Sequence, residues 1–290
     1  MRVIPSSELV INSDGSIFHL HLKPEQLADR IVLVGDPDRV TTVASFFDSK
    51  ECEVSNREFH SITGIYKGKR ISAVSHGIGT DNIDIVLNEL DALANIDFAT
   101  RTVKPEFRQL SMVRVGSSGG LQHFVPIGTF VAAEKSIGFD GVLYFYGNNE
   151  SVRDHVLEAE LYKQLDWKLK GLTPYVVSSD ASLIEQITEG TNIVRGMTIA
   201  ANGFYGPQGR VLRLPLMDPE LNRKIEAFEY EGRKITNFEM ESSSLAALSA
   251  LMGHRAMTVC CIIAGRVDKQ MNTDYKELMP RLIETVLDRI

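Results

Sequence analysis

Gln208 and Arg210 stand two apart in the run Phe204-Tyr205-Gly206-Pro207-Gln208-Gly209-Arg210. A glutamine amide presents one donor edge and one acceptor edge. An imide, such as the N3–H/O2 edge of uracil, presents the complement. An arginine beside it can hold a further carbonyl and neutralise negative charge that develops on a ring. The glycines and the proline predict an extended loop from which both side chains leave on one side. The same composition would also suit an ordinary surface loop.

Three other segments carry chemistry. In Val34-Gly35-Asp36-Pro37-Asp38-Arg39-Val40 a strand ends in glycine and a helix begins at once. Backbone N–H groups at such a junction attract an anion, and Arg39 can reach back to it. The plainer reading is a turn in which Asp36 caps the helix. In Val113-Arg114-Val115-Gly116-Ser117-Ser118-Gly119-Gly120 an arginine lies inside a strand pattern, which is costly unless its charge is matched. The glycines after it predict a turn that could cradle a phosphate, although neither a Walker pattern nor a G-x-G-x-x-G is present. In Asn237-Phe238-Glu239-Met240-Glu241-Ser242 two carboxylates flank a methionine at a strand-to-helix transition. Either could accept hydrogen bonds from a vicinal diol, or both could complement the helix dipole.

The elements that must position these groups follow from hydrophobic patterning. Strands are expected at 31–34, 71–75, 112–116, 130–133, 142–145, 176–177, 193–200 and 257–263. Helices are expected at 80–93, 151–169, 219–231 and 275–290, with another entered through 236–240. Alternation of this kind predicts a single α/β domain over 1–290, with a central mixed or largely parallel sheet flanked by helices in three layers. Residues 95–109 have weak periodicity and are expected to form a surface loop or an oligomer contact.

Composition removes several classes. With 290 residues and 43% hydrophobic content the chain can bury a large core. A net charge of −7 and the lack of any basic run exclude a nucleic-acid surface. Cys52, Cys260 and Cys261 have no metal or disulfide spacing and read as reduced thiols. No leader-like or membrane-length apolar segment stands out, so a soluble cytoplasmic protein that avoids membranes is expected. The spacing of His60, His76, His123, His155 and His254 assigns them no chemistry.

Taken in order, six segments resemble the nucleoside phosphorylase family of the purine/uridine phosphorylase fold, and within it the branch that acts on uridine. They are Gly35–Val40, Ser55–Phe59, Ser75–Asn82, Val113–Gly120, Phe204–Arg210 and Asn237–Ser242. The resemblance runs from Phe18-His19-Leu20 to Ile262-Ile263 and so spans most of the chain. It implies a phosphate site of Gly35, Arg39, Arg114 and Ser117, completed by Arg57 from a neighbouring subunit. It implies a ribose site of Met240 and Glu241, with His19 lent by the neighbour to the 5′-hydroxyl. It implies a uracil pocket of Phe204, Gln208 and Arg210, with Arg266 close behind. Arg114, Arg210 and Glu241 would then carry catalysis, with no metal and no cofactor, and inorganic phosphate as co-substrate.

The implied reaction is reversible phosphorolysis of uridine to uracil and ribose 1-phosphate, in a homo-oligomer, a dimer or a trimer of dimers, whose active sites are shared. Related purine enzymes carry a Ser-Asp pair after the late strand. Here that stretch reads Ile263-Ala264-Gly265-Arg266. Ser117 replaces a more usual threonine, Gly206-Pro207 inverts the usual order, Gly209 replaces an acidic residue, and 95–109 is longer than in compact bacterial members. Two other readings remain: a phosphorylase of another nucleoside or a nucleosidase of the same fold, and a silent nucleoside-binding protein.

Overall fold

The computed structural model describes residues 2–266, 270–271 and 277–290. In chain order its main elements are β1 (Arg30–Val34), α1 (Pro37–Ala44), β2 (Ser49–Asn56), β3 (Phe59–Tyr66), β4 (Lys69–Ser75), α2 (Thr80–Asn95), β5 (Ser111–Gly120) and β6 (Phe130–Gly138). Then follow α3 (His155–Leu165), β7 (Tyr175–Ser178), α4 (Ala181–Thr188), β8 (Val194–Ala200), α5 (Leu221–Ala227), β9 (Arg233–Glu239), α6 (Ser242–Met252), β10 (Arg255–Gly265) and α7 (Met279–Arg289).

β1 shows why the layers form. Successive strand residues face opposite sides, and Ile31 and Leu33 enter one buried cluster while Val32 and Val34 enter another. A strand apolar on both faces must be covered on both. α1, α4 and α7 supply Val40, Leu183, Leu282 and their neighbours on one side. α2 and α6 supply Ile83, Leu87, Leu245 and Leu248 on the other. The central mixed sheet flanked by helices is the expected architecture. Among the described residues no helix is long and apolar enough to cross a membrane.

One sheet holds twelve of the described strands, ordered β9-β8-β6-β10-β5-β1-β4-β3-β2, with β7 beside β6 and two short pieces, one beside β9 and one beside the end of β10. β1 pairs in parallel with β4 and β5, and β5 in parallel with β10. β6, β8 and β9 are parallel to one another, and β6 runs antiparallel to β10. β9 also reaches β5, where Phe238 pairs with Gly119 and Asn237 with Gly120. The pairings β5–β10–β6–β8–β9–β5 therefore close a ring, and the carboxyl-terminal residues of β5 and β9 meet inside the fold.

Several expectations are corrected. Gly116–Gly120 is no turn: these residues continue β5 and pair with Cys260 to Gly265 of β10. Glycines there allow two neighbouring backbones to approach, and a Cβ on Gly120 would lie 2.7 Å from the Val125 carbonyl oxygen. Val142–Phe145 is a 3-10 turn instead of a strand. The helix expected over 151–169 is shorter, because Asn149–Val152 forms its own 3-10 turn and Asp154 caps α3 through Leu157 N–H at 3.0 Å. The one expected over 219–231 shrinks to α5, with a short strand at Glu229–Tyr230. Part of the terminal helix expected from residue 275 lies outside the described residues. The hairpin β2–β3 escaped the patterning, since β2 is an exposed, polar strand.

Candidate active site

A cavity of about 640 Å³ opens where β1, β4, β5, β9 and β10 end. Ligands of open α/β sheets bind in such crevices. Its walls include Gly35, Arg39, Arg114 and Ser117 on one side, Met240 and Glu241, and then Phe204, Gln208 and Arg210. Segments far apart in sequence are thus brought to one space.

Gly35 follows β1, and a Cβ there would stand 3.1 Å from the Gly77 carbonyl oxygen. Asp36 then caps α1 by accepting the Asp38 N–H at 3.0 Å. The capping reading and the cavity reading hold together, because Gly35, Asp36, Pro37 and Arg39 also line the cavity. Arg39 donates to the Val115 carbonyl at 3.3 Å.

Arg114 is buried at 4% exposure, and its charge is matched. Nη1 donates to Glu239 Oε2 at 2.9 Å, Nη2 donates to Glu241 Oε2, and Nε donates to His76 Nε2 at 3.1 Å. Burial opposes its charge, but Glu241 and Glu239 outweigh this and raise its pKa. Gly116 leaves room for the guanidinium: a Cβ there would lie 2.7 Å from Arg114 Nη1 and 3.0 Å from Cys260 Sγ. Burial pushes the Cys260 thiol up to about 12, so it stays protonated.

The two carboxylates have different tasks. Glu239 accepts the Glu241 N–H at 2.9 Å, the Ser242 N–H at 3.0 Å and the Ser242 hydroxyl at 2.6 Å. It therefore ties down the start of α6, where unpaired N–H groups favour an anion. Glu241 accepts the Gly79 N–H, at the start of α2, at 2.7 Å, and pairs with the Arg114 guanidinium. Burial first, and then Glu239, raise the Glu241 pKa against the pull of Arg114. Of the pair, Glu241 keeps more acceptor capacity for a ligand.

At the other end Gly206–Gln208 forms a 3-10 turn and Gly209 follows at φ +68°, in place of the expected extended loop. A Cβ on Gly209 would lie 2.2 Å from Asn222 Nδ2, so another residue would have to displace that amide and accept a left-handed backbone. The tight turn still joins the predicted pair: Arg210 Nη1 donates to Gln208 Oε1 at 2.6 Å. Gln208 is buried at 4% exposure. Arg266 Nη2 donates to the Gln208 carbonyl at 2.6 Å and so braces the turn from behind. Burial, and then Arg266, lower the Arg210 pKa to about 10, which leaves it cationic at neutral pH.

Arg57 and His19 do not line this cavity. Arg57 sits at φ +55° in the β2–β3 turn, exposed, 6.0 Å from the Phe18 ring centroid. His19 Nδ1 lies 2.7 Å from Glu89 Oε1, and the His19 carbonyl accepts from Asn56 Nδ2 at 2.8 Å. Phe18 links the two: its ring lies near Arg57 and edge-on to the His19 ring, with centroids 4.7 Å apart.

Patterning missed several wall residues, among them Glu58, Gly77, Ile78, Asn82 and Phe238. The matched segment Ser75–Asn82 was the signal for Gly77, Ile78 and Asn82: its glycines have φ +71° and +96°, which carry the chain from β4 to α2, while Glu58 and Phe238 lay in Ser55–Phe59 and Asn237–Ser242. His76, given no chemistry from the sequence, contacts Arg114 directly.

Fold and cavity together define an α/β enzyme whose cleft sets arginines and a buried carboxylate at one end and an amide–guanidinium pair at the other. A sequence profile of the phosphorylase superfamily matches residues 29–288, and the chain belongs to that family. The uridine phosphorylase of Thermococcus kodakarensis is 29% identical over 272 residues, covering 91% of this chain and 83% of that one. A purine nucleoside phosphorylase of DeoD type from Colwellia psychrerythraea is 24% identical over 281 residues, covering 93% and 98%. A Trypanosoma brucei nucleoside phosphorylase, described as showing uridine phosphorylase activity, superposes with a TM-score of 0.87 at 28% identity, covering 97% of this chain and 99% of that one.

Proposed function

We propose that the protein catalyses the reversible phosphorolysis of uridine, giving uracil and ribose 1-phosphate. The observation that carries this reading is the Gln208–Arg210 pair, joined at 2.6 Å in the wall of a cavity that also holds Arg39 and Arg114. The C1′–N1 bond breaks as a phosphate oxygen bonds to C1′, and the bond's electron pair leaves with uracil. Gln208 and Arg210 hold the resulting anion, and Phe204 packs beside it. Gly35, Arg39, Arg114 and Ser117 hold phosphate, while Met240 and Glu241 hold ribose. Positioning and electrostatics supply the rate, with inorganic phosphate as co-substrate and no cofactor.

The exposed Arg57 and the half-buried His19 complete a neighbour's site in a cytoplasmic homo-oligomer, at minimum a two-fold dimer. That neither lines its own chain's cavity supports this. Uridine is favoured over a purine nucleoside because Ile263 and Ala264 stand in the wall where a purine enzyme's acid is expected. Uracil release from uridine, followed by ultraviolet absorbance with and without phosphate, tests the reading. Phosphate-dependent release is expected, with inosine much slower. Equal release without phosphate identifies a nucleosidase instead, and no release with any nucleoside leaves only binding.

A further inference from the structure

We propose that His76 is a positioning residue: its bare Nε2 accepts the Arg114 Nε–H and so sets the plane of the guanidinium at the phosphate end of the cavity. This rests on the reading of Arg114 as a phosphate ligand. Arg114 has a partner at each corner, His76 at Nε, Glu239 at Nη1 and Glu241 at Nη2. Glu241 is the corner that ribose also needs, whereas His76 and Glu239 serve Arg114 without that second task. These two acceptors anchor a planar group at two corners, which is enough to fix it.

Both anchors are themselves rigid. Glu239 is pinned by the amides and hydroxyl at the start of α6. His76 donates its backbone N–H to the Val34 carbonyl at 2.9 Å, which carries the β1–β4 pairing one residue past the end of β4. The ring is fully buried, and its Nδ1 has no hydrogen-bond partner among the described residues. An Nε2 that accepts leaves the proton on Nδ1, so the ring is neutral in this contact. Burial, and then the charges of Arg114 and Arg39, hold its pKa well below the ordinary value, in keeping with that form.

Neutrality explains the choice of residue. A third carboxylate would anchor Arg114 equally well, but it would add to the negative charge that Glu239 and Glu241 already place on the guanidinium and weaken its pull on phosphate. An uncharged acceptor fixes geometry and leaves the charge available.

The test uses a matched pair of variants. In Gln the carbonyl oxygen is as many bonds from Cβ as Nε2 is in His; in Asn it falls one bond short. Binding of inorganic phosphate is measured by titration calorimetry on the full chain, alongside KM for phosphate and for uridine. H76N should weaken phosphate binding about tenfold or more, the loss of one hydrogen bond to a charged group, with a smaller change in KM for uridine. H76Q should stay within about threefold of the parent protein. If the two variants weaken phosphate equally, or if KM for uridine moves as much as KM for phosphate, His76 has only a packing role. If the parent protein itself fails to bind phosphate, the reading of the cavity falls and this inference falls with it.

Discussion

Arg210 is joined to Phe204 twice. Its guanidinium carbon lies 3.7 Å from the Phe204 ring centroid, and its Nη1 donates to the Phe204 carbonyl at 2.6 Å. A cation held over an aromatic face and tied to the same residue's backbone loses much of its freedom before any ligand arrives. Donors fixed in advance stabilise charge that develops in a reaction better than donors that must reorganise.

Arg210→Ala should therefore lower kcat/KM for uridine by about 2–4 kcal/mol, the range for removing one donor to a developing anion. Arg210→Lys should recover little, because an ammonium lacks the flat, delocalised face that the guanidinium lays over the Phe204 ring. Steady-state kinetics decide this, and a loss below tenfold in Arg210→Ala would sink the assignment of the leaving-group site.

Gly116→Ala keeps every charged group and disturbs only where one of them sits. The added Cβ would stand 2.7 Å from Arg114 Nη1, which must move. KM for phosphate should rise about tenfold, since a displacement of this order weakens a charged contact without removing it. A folded variant with unchanged phosphate KM would mean that Arg114 does not act on phosphate from this position.

Stability should depend on pH through His76. Its folded pKa lies well below the usual 6.5, owing to burial and then to Arg114 and Arg39. Below about pH 6.5 the unfolded chain takes up a proton that the native ring refuses. Stability contributed by the neutral ring is thus present above that pH and is lost on acidification, at up to about 1.4 kcal/mol per pH unit. Urea denaturation at pH 7.5, 6.5 and 5.5 should show a shallower acid loss in H76Q than in the parent protein. Identical slopes would show that His76 takes up its proton equally in both states.

Mixing two inactive proteins tests the shared site. Arg57→Ala and Arg114→Ala should each be inactive alone. After subunit exchange, a mixed dimer has one site with both lesions and one with neither, so activity should return to about half per mixed dimer. If exchange is shown by mass spectrometry and no activity returns, Arg57 acts within its own subunit or not at all.

The strands of the core were legible because burial on both faces leaves a continuous apolar run, as in Ile31–Val34. α2 was legible because Ile83, Val86, Leu87 and Leu90 share one buried face. β2 was not, since an edge strand facing solvent has no apolar code to read. At the site, residue types survived better than backbone shape. Gln208 and Arg210 meet as their spacing suggested, yet through a 3-10 turn that the sequence did not declare. Glu239 and Glu241 looked equivalent in sequence, and only the position of the α6 amides separates a brace from a ligand. His76 was invisible because its role depends on an atom of β5, 38 residues away.

The ring of β5, β10, β6, β8 and β9 gives the two ends of the cavity different evolutionary freedom. Arg114 and Ser117 project from a strand hydrogen-bonded on both sides, so few changes there leave the barrel closed. Phe204 to Arg210 hang on a connection outside it, which runs on into Val211, Leu212, Leu214 and Met217, all exposed. Drift along that connection can reshape the wall at Phe204, Gln208 and Arg210 while the strand pairing around Arg114 and Ser117 stays intact. Relatives named for uridine and for purine nucleosides both align over most of this chain, so one fold carries both names.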